Sequence, residues 1–498
     1  MHTDSAVSFS SPATVGVVGA LLAGLLWSWS RWKKSEFPLV CTNEEFAKDS
    51  LAVLTTAMSQ FQGPFRVPTA TGEKIVLPTR YLESIKNDDR FSFAHEMAKQ
   101  SLSHLPGFEA FATPLHDNIF QDTVRTKVTQ SLGAITKSLS EETSMALKQL
   151  VGDDPEWKDC EVGKTALNLT TRLSTRVFLG EKFSRNQEWL DLTLMYTMAA
   201  MHAAQALLKW PSFLQRLANL FLPQCIGQRA MLKSIKAILG PEIKQRQQER
   251  ALMQNEKGQM PPGKDTMDWM SEIARGRPFD LVSGQLQLNF VAIHTTSTLM
   301  SDVLLDLCAF PEYIPKLREE ICRVVSENGW KKTAMYKLKR MDSFVKESLR
   351  LRPQSMITAR RMTTEAVAFP DGTKIPRGSS VMVPTITAML DPSIYPNPHH
   401  FDGERFLRMR EQNENAAQLV TTGANYLGFG IGKHSCPGRF LAANEIKVAL
   451  CHILLKYDLK FPDGVSRPDP MAWETAYMIN PGARVLIRRR QEEIVLDP

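Results

Sequence analysis

The densest chemistry in this chain lies in Gly428-Phe429-Gly430-Ile431-Gly432-Lys433-His434-Ser435-Cys436-Pro437-Gly438-Arg439-Phe440. Glycines at this density let a loop turn tightly and bring backbone amides close to a partner. A phosphate-binding loop is excluded, because Leu427 stands where the first Gly is needed and His434 follows Lys433 in place of Ser or Thr. A dinucleotide fingerprint is excluded too, since no Gly lies three residues after Gly430 or Gly432. What remains is one Cys directly before a helix whose first turn holds Pro437. Nearby amides and a helix N-terminus favour thiolate over thiol. A thiolate so placed serves as nucleophile, redox sensor or metal ligand, and an inert buried thiol is the competing reading.

Two further patterns precede this loop. Glu347 and Arg350, in Glu347-Ser348-Leu349-Arg350, are three apart and share a helix face. Arg405 lies in Phe401-Asp402-Gly403-Glu404-Arg405-Phe406. Phe429, Gly432, His434, Cys436 and Gly438 fit the pattern FxxGxxxCxG, Glu347 and Arg350 fit ExxR, and the Arg405 segment fits the element that supplies a second Arg. In these motifs, their order and their spacing, the chain resembles the cytochrome P450 family over most of its length. The leader and Ala292-Ile293-His294-Thr295-Thr296-Ser297 resemble the microsomal branch of filamentous fungi.

The resemblance implies a mainly α fold with small β-sheets (α+β, the cytochrome P450 fold) behind an N-terminal transmembrane helix. It implies haem b, iron protoporphyrin IX, as cofactor and Cys436 as the thiolate on its iron, donating electron density that favours O–O cleavage. Phe429 packs beside the sulfur in this reading, Gly432 and Gly438 shape the loop, and loop amides tune the sulfur by hydrogen bonding. Glu347, Arg350 and Arg405 form a buried ionic network that sets the Cys loop, so that removing one partner strands a charge. His434 stands where many relatives carry an Arg for a haem propionate, and Arg125 supplies a second propionate contact, with Gln121 where a Trp is usual. Thr295 is the oxygen-activating hydroxyl; its competing reading is a helical hydroxyl bonded back to the carbonyl four residues earlier. His294 occupies the place of the usual neighbouring acid, so His294 and Thr295 together are expected to relay protons.

These groups must be positioned by the rest of the chain. Its 498 residues, 43% hydrophobic and 23% charged, describe a large globular body without repeats. The net charge of +7 excludes a dedicated nucleic-acid binder. Basic clusters at Lys331-Lys332, residues 337–340 and residues 488–490 are expected to offer a face to an acidic redox partner. Seven cysteines without a CxxC pair exclude a zinc or disulfide framework and suit a reducing compartment.

Residues 12–29 form an uncharged apolar run; Trp27 and Trp29 close it, and Arg31, Trp32, Lys33 and Lys34 follow. That arrangement predicts a spanning anchor over residues 1–34, oriented by the positive-inside rule, ahead of a catalytic domain over 35–498. A cleaved signal peptide would want cations before the run, where the only charged side chain is Asp4. The implied location is the endoplasmic reticulum membrane, crossed once, with the catalytic domain cytosolic.

Short strands are expected at 65–69 and 74–78, around the Thr71-Gly72 turn, and over 357–384. Helices should run from 117 to about 310, broken at Pro211, Pro223, Pro241 and Pro261-Pro262. Asp280 is expected to cap a long helix that ends near Pro311, and residues 438–457 to form an amphipathic helix.

Segments 195–208, 290–296, 356–358 and 476–479 are expected to line a distal cavity, through Met195, Met198, Met201, Phe290, Ile293, Met356, Ile357 and Met478. The implied activity is oxygen- and NADPH-dependent oxidation of a bulky apolar substrate, a terpenoid secondary metabolite before a polyketide or alkaloid. The implied partners are NADPH–cytochrome P450 reductase, cytochrome b5 and the membrane. An electron-independent haem-thiolate isomerase or dehydratase, and a non-catalytic haem binder, are the competing classes; the first has less need of Thr295 and the second no need of the apolar cavity.

Overall fold

The structure is a computed structural model that describes residues 36–112, 118–257 and 262–496. The expected anchor, residues 1–34, lies outside the described residues. Among those described, no helix is long and apolar enough to cross a membrane.

Helices dominate the described residues, which also form four small sheets. The organising element is the long helix Leu281–Ala309. It begins where predicted, with the Asp280 carboxylate accepting from the Val282 backbone N–H at 3.0 Å. Its core-facing residues, among them Leu286, Leu299, Met300 and Val303, pack in one cluster with Leu169, Leu173 and Val177 of the helix Val162–Leu179. Burial of this kind, rather than helix propensity, holds so long an element in place.

The largest sheet has the strand order Phe65–Val67, Lys74–Val76, Ser380–Pro384, Ile357–Thr363, Phe91–Ser92. All of its pairings are antiparallel except Lys74–Val76 with Ser380–Pro384. Ile357–Thr363 alternates between buried and half-buried positions, and its register shifts between Thr358 and Arg361, where Ala359 takes φ +49°. Such a bulge re-aims the side chains that follow it.

Two expectations need correction. Pro241 does not break the chain: one helix, Pro223–Lys257, runs through it. A Pro removes one backbone donor, and the rest of the ladder carries the helix on. The helix Arg439–Lys456 is not amphipathic, since nearly every residue from Leu441 onward is buried. Its polar residues are satisfied by neighbours instead: Ser174 Oγ donates to Glu445 at 3.1 Å, Lys447 reaches the Met335 carbonyl at 3.1 Å, and His452 meets Ser140 Oγ at 2.8 Å. The basic run 488–490 is likewise neutralised, by Asp458, Glu492 and Glu493.

Candidate active site

Cys436 sits between the single turn Gly432–His434 and the buried helix Arg439–Lys456. Its own N–H donates to the Phe429 carbonyl at 2.8 Å, which closes the loop. Gly430 and Gly432 adopt φ of +71° and +68°. At Gly432 a Cβ would also meet Asn87 Oδ1 at 2.7 Å and the Lys86 carbonyl at 2.8 Å, so only glycine fits there. The Asn87 side chain accepts from the Lys433 N–H at 2.8 Å, fastening the loop from outside. Burial pushes the Cys436 thiol up, against the N–H groups of Gly438 and Arg439 and the Arg439 charge, which favour thiolate. None of the seven cysteines is in a disulfide, and no trio of His, Cys, Asp or Glu among the described residues could hold a metal ion. A metal at this loop would therefore lack a full set of protein ligands and need a carrier for its other bonds.

Behind the loop stands the ionic network. Arg350 donates Nε and Nη2 to the two oxygens of Glu347 at 2.7 and 2.8 Å, and its Nη1 to the Met389 carbonyl at 2.7 Å. Arg405 donates Nε to Glu347 Oε1 at 3.1 Å, and its remaining N–H groups to the carbonyls of Pro396 and His400. Glu347 and Arg350 are wholly out of solvent. The helix that carries them, Lys339–Leu351, presses Leu349 so close to Gly428 that a Cβ there would approach it to 2.9 Å.

Cations gather around Lys433 and His434 of the loop. Arg125 lies in a π-helical segment, Thr123–Val128, and donates Nη2 to the Lys433 carbonyl at 2.6 Å. Arg361 lies 5.5 Å from the Phe93 ring centroid, and that ring meets the His434 ring at 5.7 Å. Desolvation, followed by the charges of Arg361, Lys433 and Arg125, pushes the His434 imidazole down to about 4. Burial and the neighbouring Arg360 push Arg361 down to about 10, and its buried Nε has no partner among the described residues. Cations that depress one another while one buried donor stays unpaired need an anion among them. Haem propionates meet that need, and Cys436 Sγ meets the iron's, so the residues present fit this group. Arg361 escaped the sequence reading because no motif marks it and only the fold brings it beside His434.

On the long helix, Val291 and Thr295 are exposed within an otherwise buried stretch, so a cleft opens against this face. The Thr295 hydroxyl donates to the Val291 carbonyl at 2.8 Å, the back-bonded orientation. The His294 imidazole lies beside Phe290, burial pushes its pKa down, and its buried Nε2 has no partner among the described residues. Neighbours on a helix point about 100° apart, so His294 and Thr295 do not share a face. Of the residues expected to line the cavity, Met195, Met198 and Met478 are exposed, and Phe290 meets Phe111 edge to face at 4.9 Å. Ile293, Met356 and Ile357 are instead packed in the interior, the last two against Phe46, Leu54 and Phe65.

A lone cysteine in a glycine-shaped loop, a buried Glu–Arg–Arg network behind it and a cationic pocket beside it define a haem-thiolate protein. The family model for cytochrome P450 matches residues 110–487, and the chain belongs to that family. It is 40% identical to the cytochrome P450 monooxygenase trt6 of Aspergillus terreus, over 95% of this chain and 98% of that protein. It is 38% identical to the monooxygenase adrA of Penicillium rubens, over 98% of each chain. A third relative, pyr3 of Aspergillus fumigatus, is 37% identical over 100% of this chain and 93% of its own length. The protein is an oxidoreductase of the monooxygenase type, its cofactor is haem b bound through a cysteine thiolate, and such enzymes draw electrons from a redox partner such as a reductase.

Proposed function

We propose that the chain oxidises a bulky apolar secondary metabolite, a terpenoid before a polyketide or alkaloid, with Cys436 as the residue that would hold the haem iron. The observation that carries this reading is the Cys436 loop held between the Glu347–Arg350–Arg405 network and the cations Arg125, His434 and Arg361. Haem bound there supplies dioxygen activation and the insertion of one oxygen atom into the substrate. The chain's own residues do the rest. Arg125, His434 and Arg361 would hold the propionates, and the exposed Met195, Met198 and Met478 with Phe290 offer an apolar, adaptable wall. Thr295 and His294 pass protons toward the cleft, the neutral imidazole exchanging them through water. NADPH–cytochrome P450 reductase supplies electrons, with cytochrome b5 as a second donor.

Residues 1–34 anchor the body, residues 35–498, to the endoplasmic reticulum membrane from the cytosolic side. A second apolar surface supports membrane contact. On the helix Ser212–Phe221, Phe213, Leu217, Leu220 and Phe221 are four, three and one residue apart and all are more than half exposed.

The test is co-expression with a fungal reductase and a panel of terpenoid, polyketide and alkaloid precursors, with products read by mass spectrometry. An oxygenated terpenoid is the expected product. A reduced carbonyl spectrum without the thiolate band, in folded protein, would overturn the assignment of Cys436.

A further inference from the structure

The turn after Leu351 touches the cleft from an unexpected direction. Arg352 pairs with Asp302 at 3.3 Å and with Asp306, both on the long helix beyond Thr295. Two residues on, the Gln354 amide donates Nε2 to the backbone carbonyl of Thr295 itself. A carbonyl only accepts, so the orientation of this amide is fixed: its nitrogen faces the helix. The other side of the same turn holds the hairpin Met471–Trp473 and Ala476–Met478. Tyr477 N–H donates to the Gln354 carbonyl at 3.2 Å, Met356 N–H donates to the Thr475 carbonyl at 2.8 Å, and Ser355 bridges to Ala476. One residue thus joins the exposed Met478 wall to the turn of helix that carries Thr295.

We propose that Gln354 is a positioning residue for Thr295, an assignment that rests on reading Thr295 as the oxygen-side hydroxyl. A helix carbonyl already serves the N–H four residues on. A second donor on the same oxygen ties the helix at Thr295 to the hairpin, and so fixes where the Thr295 hydroxyl stands when it leaves the Val291 carbonyl. Without that tie the turn opens more often, proton delivery loses its register, and reduced dioxygen escapes as hydrogen peroxide instead of being used.

The test compares full-length, haem-loaded wild type with Gln354→Leu, Gln354→Glu and Thr295→Ala. Two readouts are taken: amide hydrogen exchange of the peptide spanning 291–300, and peroxide released per haem with NADPH, dioxygen and reductase, no substrate added. Loss of one neutral hydrogen bond predicts about fivefold faster exchange in Gln354→Leu. Gln354→Glu keeps the shape but sets an ionised acceptor against the Thr295 carbonyl, so both readouts should rise in the order wild type, Leu, Glu. A space-filling role predicts the reverse, with Glu close to wild type and Leu raised, and that order would overturn the proposal. If Thr295→Ala raises peroxide while neither Gln354 variant changes either readout, the proposal alone is overturned. If Thr295→Ala leaves peroxide unchanged, the reading of Thr295 fails and the proposal falls with it.

Discussion

Arg405 donates Nε to Glu347 Oε1 at 3.1 Å although 58 positions separate them. The contact ties the segment leading into the Cys loop to the helix that backs it. Glu347 also accepts from Arg350 and from the Asp402 N–H, so four donated bonds end on one buried carboxylate. Glu347→Gln keeps the volume and leaves two guanidinium groups buried without a counter-charge. A cost of roughly 3–5 kcal/mol is expected, enough to lose the bound cofactor before the fold. Haem per protein and the thiolate band of the reduced carbonyl complex should fall together, while far-ultraviolet dichroism at low temperature stays native.

Gly432 combines a left-handed backbone with no room for a side chain. Gly432→Ala therefore costs about 1–2 kcal/mol in backbone strain alone, before Lys86 and Asn87 have to move. Reduced haem loading is the expected outcome. Gly423→Ala is the control: it lies nearby in sequence, a Cβ there meets nothing within 4 Å, and its φ is not positive. Equal haem loading in the two variants would show that the loop does not need this glycine.

The network and the glycine loop were both legible from spacing, because each is a local pattern: three residues apart on a helix for Glu347 and Arg350, and a fixed run around Cys436. The long helix was legible from its Asp280 cap and its apolar length. What escaped reading depends on long-range packing. Nothing local distinguishes Arg361, brought beside His434 by a strand bulge, from a solvated strand cation. Ile293 and Met356 carry the apolar character of a cavity wall, yet they face the interior, because period and composition do not say which side of an element meets the cleft. The helix 439–456 reads as amphipathic until Ser174, Asp342 and Ser140 arrive to satisfy its polar residues.

Glu445 sets a pH dependence. It is buried in the helix behind Cys436 with Ser174 Oγ as its donor, and burial pushes its carboxyl up to about 8. The folded state keeps this proton while the unfolded chain releases it above the ordinary value of 4.5. Its contribution to stability is therefore greatest below that value and declines as pH rises toward the folded value, by on the order of 1 kcal/mol per pH unit. Glu445→Gln has no proton to lose and should flatten this decline. Urea midpoints of the two proteins are expected to converge at about pH 5 and to separate by about pH 8, with the variant the more stable. Parallel curves would mean that the carboxylate is solvated or paired.

His294 departs from the acid that the family resemblance leads one to expect before Thr295, and its surroundings decide its charge. Burial pushes the imidazole down from 6.5, and no counter-charge among the described residues opposes the shift. A base with a depressed folded value is neutral at pH 7, and its stability contribution is complete above its unfolded value and lost as pH falls below it. His294→Phe removes that acid-side loss, so the variant should be relatively more stable than wild type at about pH 5 than at about pH 7. Activity should move the other way. The neutral ring offers one donor and one acceptor, and the unpartnered buried Nε2 leaves one of them free for a water. Phe keeps the aromatic contact with Phe290 and abolishes both. If the imidazole carries protons toward Thr295, His294→Phe consumes more NADPH per product with the substrate that the precursor panel identifies, at unchanged substrate affinity. An unchanged ratio of NADPH to product, with the stability shift present, would assign His294 to packing alone and leave Thr295 to be supplied by water.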